Sequence, residues 1–242
     1  MPGRRSVTSS AAIPDLPALV DQIIRSQRKT IAIIVQRDGK VIVRAPLKTP
    51  ERMIRVFVES KSDWINEKKL QGLQRVALPT RKFAEGEKFL LLGREIPLHL
   101  VQGQTVALGL DEAGFHLSVK ALPRALPVFE RWYKLQAGQV LTRRVQLLAT
   151  QHGFHYEKIR ISSARTRWGS CSSRGVLSFT WRLVMAPQDV VDYVVIHELA
   201  HLKIKNHSAV FWIEVARLMP DYKRGRDWLK KNGHFLTLDG EV

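Results

Sequence analysis

Apolar and polar positions first alternate along this chain, then fall into helical spacing. Thr30 to Val35 and Lys40 to Arg44 are rich in β-branched residues and flank Asp38-Gly39, the pair that suits a two-residue hairpin turn. Before them, residues 1–12 are small, polar and basic, and Ile13 to Ser26 is weakly amphipathic and reads as a short helix. Thr49-Pro50-Glu51 supplies a helix start, and Ile54, Val56, Phe57, Trp64 and Ile65 keep helical spacing to about Gln71. Strands are predicted at 86–91 and 95–101 around Leu92-Gly93-Arg94, and at 104–110 and 115–119 around Asp111-Glu112-Ala113-Gly114.

Beyond Pro123 and Pro127 the period changes. Val128 to His152 predicts a long amphipathic helix closed by Gly153. Ile159 to Ile161 and Val176 to Leu183 predict two strands, with residues 170–175 between them. Three helices come next: Ala186-Pro187 to about Lys205, Ser208 to about Met219, and Pro220-Asp221 through Lys231. Hairpins first and helices later make the fold class α+β, with a boundary near residue 121.

Composition narrows the picture. With 242 residues, 45% hydrophobic and 25% charged, the chain has ordinary globular usage, which excludes a mainly disordered or collagen-like protein. No run of about 18 apolar residues is present to span a membrane. Arg4 and Arg5 are followed by Ser6, Thr8, Ser9, Ser10, Pro14, Asp15 and Pro17, unlike a secretory signal, so the expected location is cytoplasmic. The single cysteine, Cys171, excludes an intramolecular disulfide framework and any thiolate cluster, so a zinc site would have to use His and carboxylate. The net charge of +17 is spread over the chain, with 20 basic and 12 acidic residues to position 122 and 19 and 10 after it. Such diffuse charge favours nonspecific contact with nucleic acid, and equally serves solubility.

The segment that carries chemistry is His197-Glu198-Leu-Ala-His201. Residues i and i+4 share one helix face, so both imidazoles can meet one metal ion. Glu198 stands one step round, within reach of a water beside that metal. This is the arrangement in which a zinc-polarised water loses its proton to a carboxylate and attacks a carbonyl. The plainer reading is a buried helix with two satisfied histidines, but two imidazoles and a carboxylate are costly to bury without a partner. A third ligand is needed. His207 comes six residues after His201, and Asn206 can take the left-handed turn that glycine would otherwise supply. Glu214, on the next helix, competes for the same place. Arg167, Trp168 and Tyr193 are candidate substrate or oxyanion groups, with packing the alternative for Trp168 and Tyr193. Asp192 reads as a solvated helix residue.

Arg167-Trp-Gly-Ser-Cys-Ser, Arg182-Leu-Val-Met-Ala-Pro, residues 192–202, Asn206-His-Ser, Phe211-Trp212 and Pro220-Asp-Tyr together resemble the YgjP-like family of bacterial zinc metallopeptidases, relatives of the SprT-like and WLM proteases. The resemblance extends upstream through residues 64–68 and 92–94 and covers roughly 28–235. It implies a zincin-like catalytic half over 122–242 behind a β-rich region over 28–121, while the expected flexible leader over 1–27 lies outside it. It also implies one Zn²⁺ on His197, His201 and His207, Glu198 as general base and a polypeptide substrate. Two rivals stand beside this reading: a basic nucleic-acid-associated protein, including a protease recruited by DNA, and a metal-dependent hydrolase of a non-peptide amide.

Overall fold

In the computed structural model, which describes residues 19–36, 38–73 and 81–238, the Asp38-Gly39 turn forms the expected hairpin. Around it β1 (Gln22–Ser26), β2 (Ala32–Val35) and β3 (Val41–Pro46) make a sheet in the order β1-β3-β2. Residues 22–26, expected at the end of a helix, are a strand that pairs in parallel with β3. Their Ile-Ile pair satisfies both patterns, and a partner some 20 positions away in sequence decided the outcome. The expected helix over 50–71 is two, α1 (Glu51–Glu59) and α2 (Ser62–Leu73). Between them Ser60 bonds through its hydroxyl to the Phe57 carbonyl, a local bond of the kind that competes with helix continuation. Val41, Val43 and Ala45 alternate toward Ile54, Val58 and Ile65 to give these elements a small core of their own.

The contacts divide the chain after Ala77, not near residue 121. The second unit starts with β4 (Lys88–Leu91), β5 (Arg94–Val101), β6 (Leu108–Leu110) and β7 (Phe115–Ser118), in the order β4-β5-β7-β6. The reason for the earlier division is α3 (Ala125–His152), whose buried stripe Phe129, Tyr133, Ala137, Leu141 and Val145 recurs every four residues. Phe129 stacks on Phe89 with ring centroids 4.4 Å apart and meets Phe115 at 5.3 Å, while the Tyr133 hydroxyl donates to the Leu90 carbonyl at 2.6 Å. Strands β4–β7 and helix α3 therefore share one core.

A second sheet, β8 (Lys158–Ser162), β9 (Gly169–Cys171) and β10 (Val176–Thr180), has the order β8-β10-β9, which leaves β9 at the edge. The strand predicted to Leu183 stops at Thr180 and becomes a 3-10 turn over Trp181–Met185. Then come α4 (Gln188–Lys203), α5 (Ala209–Leu218) and α6 (Tyr222–Asn232), so the fold is α+β as expected. The β4–β5 turn braces the start of α4. Gly93, at φ 77°, lies so close to Pro187 that a Cβ there would fall 2.9 Å from its ring, and the Leu92 and Gly93 amides donate to the Val184 and Met185 carbonyls. No helix among the described residues is long and apolar enough to cross a membrane.

Candidate metal centre

Helix α4 is buried almost all round: Val190, Val191, Val194, Val195, Ile196, Leu199 and Ala200 are each at most 3% exposed. Such a helix cannot turn without repacking the core, so the side chains it projects are held in place. His197 and His201 leave it one turn apart. His207 comes back to them from the segment between α4 and α5.

The three Nε2 atoms face one another, His207 to His197 at 3.0 Å and His207 to His201 at 3.1 Å. The Nδ1–H of His201 donates to the Ile204 carbonyl at 2.9 Å, which fixes the tautomer and leaves Nε2 as a free lone pair. Burial pushes the His197 imidazole down to about 3 and lowers His201 as well, so both are neutral at ordinary pH. Two imidazole lone pairs this close repel unless a proton or a cation lies between them. Ligand atoms around a tetrahedral zinc at 2.0–2.1 Å stand roughly 3.3 Å apart, close to what is seen. The three histidines form a group that could hold one metal ion, the sole such group of His, Cys, Asp and Glu among the described residues.

Glu198 lies beside this group, 4% exposed, with Oε2 buried and unpartnered. Burial pushes its carboxyl up to about 8, opposed by the Arg167 guanidinium. It reaches this position because residue 169 on β9 is glycine: a Cβ there would stand 2.5 Å from Oε1 and 2.6 Å from Cγ. The strand and the helix thus meet backbone to side chain at the carboxylate.

The remaining candidates separate. Glu214 is turned away, bound by Arg217 at 2.8 Å and Lys203 at 3.3 Å, which hold its carboxyl at about 2; it is no member of the histidine group. Asn206 is not left-handed, since Phe83 and Leu92 are the non-glycine residues with positive φ among those described; its Oδ1 instead accepts from the Ser208 amide. The chain turns through this side-chain bond, which does for it what a glycine conformation would do elsewhere. Arg167 is exposed on the Glu198 side. Trp168 packs on Gly233. Tyr193 is 7% exposed, packs against Gly225, and meets the His197 ring edge-on at 6.0 Å. Burial pushes its hydroxyl up to about 12.

Asp192 is not solvated. It accepts from Arg144 Nε at 2.6 Å and Nη2 at 2.7 Å, tying α3 to α4 five residues before His197. Nothing in the local pattern of α3 marks Arg144 out from Arg143. A row of rings is equally hidden from local pattern. Trp212 lies nearly parallel to His207 with centroids 5.9 Å apart and to Tyr222 at 5.6 Å, with Arg226 over it at 4.7 Å. The pair Phe211-Trp212, just past His207, is the one hint of it.

A family model described as YgjP-like, metallopeptidase domain, matches residues 29–232. No curated protein matches the chain. Among solved structures, the metallopeptidase zymogen abylysin of Pyrococcus abyssi is 24% identical, with 38% of this chain and 93% of that chain covered and a TM-score of 0.35. The zymogen jannalysin of Methanocaldococcus jannaschii is 21% identical, with 39% and 96% covered and a TM-score of 0.34.

Proposed function

Because the chain belongs to the YgjP-like metallopeptidase family, we propose that it cleaves peptide bonds with one zinc ion on His197, His201 and His207 and with Glu198 as general base. The observation that carries this reading is the convergence of three inward-facing Nε2 atoms beside a buried, unpartnered carboxylate. A zinc ion held there supplies Lewis acidity toward water and the substrate carbonyl. The protein's own groups do the rest. Glu198, whose carboxylate burial makes a stronger base, accepts the proton of the attacking water as the water oxygen bonds to the carbonyl carbon. It returns that proton to the amine nitrogen as the C–N bond breaks. His201, anchored on the Ile204 carbonyl, and His197, seated against Tyr193, hold their ring planes while this happens.

The free edge of β9 suits an extended peptide, which would add as a further strand with its scissile carbonyl passing Glu198. Arg167, exposed on that side, is placed to receive an oxyanion or a substrate carboxylate. Trp168, just before that strand, packs on Gly233.

The test is digestion of a denatured, unstructured protein by the zinc-loaded chain, with and without DNA, against Glu198→Gln. Cleavage by the unsubstituted chain, lowered about a thousandfold or more in Glu198→Gln with zinc still bound one per chain, is the expected result. Full zinc occupancy with no cleavage in any lane sinks general proteolysis. Cleavage only in the DNA lane identifies a recruited protease.

A further inference from the structure

Around the histidine group the cations are mostly spoken for. Arg144 is held by Asp192, Lys203 and Arg217 by Glu214, and Arg224 by Asp189. Arg226 projects from α6 over the Trp212 ring, its guanidinium carbon 4.7 Å from the centroid, and it has no carboxylate partner among the described residues. Lys205 and Arg167 likewise have no carboxylate bridge among the described residues, and Arg226 differs from them in being stacked on a ring. Trp212 in turn lies 5.8 Å from the His197 ring and 5.9 Å from the His207 ring. The indole of Trp212 therefore neighbours both an unneutralised guanidinium and the rings of His197 and His207.

An arginine is ordinarily a floppy surface group, and ordering it costs side-chain entropy. Stacking on an indole removes much of that freedom in advance and leaves the N–H fork available at its rim. That fork matches the two oxygens of a carboxylate. Peptide residues advance about 3.3–3.6 Å each, so a carboxylate carried one to three residues from the scissile bond falls within reach of this position.

We infer that Arg226, held over Trp212 beside the three histidines, is a specificity-determining residue that receives a carboxylate of the peptide substrate. This deepens the peptidase reading above and rests on it. The carboxylate has two sources, an Asp or Glu side chain near the cleavage point or the substrate's own C-terminus, and the experiment separates them.

The zinc-loaded full chain carrying Glu198→Gln is titrated with peptides, so that binding is read without turnover, by calorimetry or tryptophan fluorescence. One set exchanges Glu for Gln at each position in turn, and a second exchanges a free C-terminus for its amide. The expected result is a preference of about tenfold for the carboxylate form at one position, or at the C-terminus. Adding Arg226→Gln abolishes that preference, Arg226→Lys keeps part of it, and Arg226→Glu turns it toward a Lys-bearing peptide. Zinc content and unfolding midpoint show that each variant is folded. No preference with Arg226 present, or a preference that survives Arg226→Gln, overturns the inference. The peptidase reading is judged separately, by whether the unsubstituted chain cleaves the neutral peptides. Their cleavage without any carboxylate preference removes Arg226 alone.

Discussion

At the scale of single residues the site depends on an atom that is missing. Gly169 leaves room for the Glu198 carboxylate, and any side chain there begins 2.5 Å from Oε1. Glu198 is walled in and cannot retreat into solvent. Gly169→Ala should therefore move the base, and displacement on the order of 1 Å costs about a hundredfold in rate. Zinc binding should stay intact, since the histidines lie on other elements. Steady-state kinetics with a zinc assay checks both halves; unchanged kcat/KM would show that β9 yields where Glu198 does not.

The same burial has a pH signature in the metal-free chain. The folded protein keeps a proton on Glu198 up to about 8, whereas the unfolded chain releases it near 4.5. Stability from this group is then full below about 4.5, declines as pH rises, and is lost above about 8. Glu198→Gln, which does not ionise, should gain on the unsubstituted chain across that window, by roughly 4–5 kcal/mol at its upper end. Thermal unfolding of both metal-free chains at pH 5 and pH 8.5 measures it. A difference that does not widen with pH removes burial as the cause.

At the scale of elements, α4 is positioned by what grips it. The Leu92-Gly93 turn braces Pro187 just before the first turn of the helix, and the Arg144 fork holds Asp192 part-way along. The ion pair is a quarter or less exposed on both sides, so it should contribute more than a surface pair. Arg144→Ala and Asp192→Ala should each cost about 1–2 kcal/mol, and the double variant little more than either. A denaturant series on the four chains gives the coupling, and full additivity would mean that the pair is incidental.

Legibility in the sequence depends on range. His197, Glu198 and His201 are one helix turn apart, and the hairpin at Asp38-Gly39 is set by two residues, so both are legible. The strand character of residues 22–26, the break at Ser60 and the union of β4–β7 with α3 each depend on more than local pattern, the first and last on partners far away in sequence. So do the Arg144 fork and the Arg226 perch on Trp212. His207 lies between these cases: its spacing suggests a return to the site, but the turn that brings it there uses the Asn206 side chain, not a left-handed residue.

At the scale of the molecule, the two units carry separate cores and unequal means of stabilisation. Among the described residues, the unit that ends at Ala77 buries six side chains fully, a small core for any independent fold. The larger unit has the extended core and all three histidines. A ligand stabilises only the part that binds it, by an amount set by its concentration relative to Kd. Zinc at a thousand times Kd adds about 4 kcal/mol, which for a unit of this size is roughly 8–16 °C in midpoint. Calorimetry of the zinc-loaded and chelated chain should thus show one transition falling by that order while a smaller one stays in place. His197→Gln should reproduce the chelated profile and no longer respond to zinc. If both transitions fell together, the metal would be stabilising the chain as one cooperative body, and the small core around Val43 and Ile54 would owe its persistence to the unit that holds the histidines.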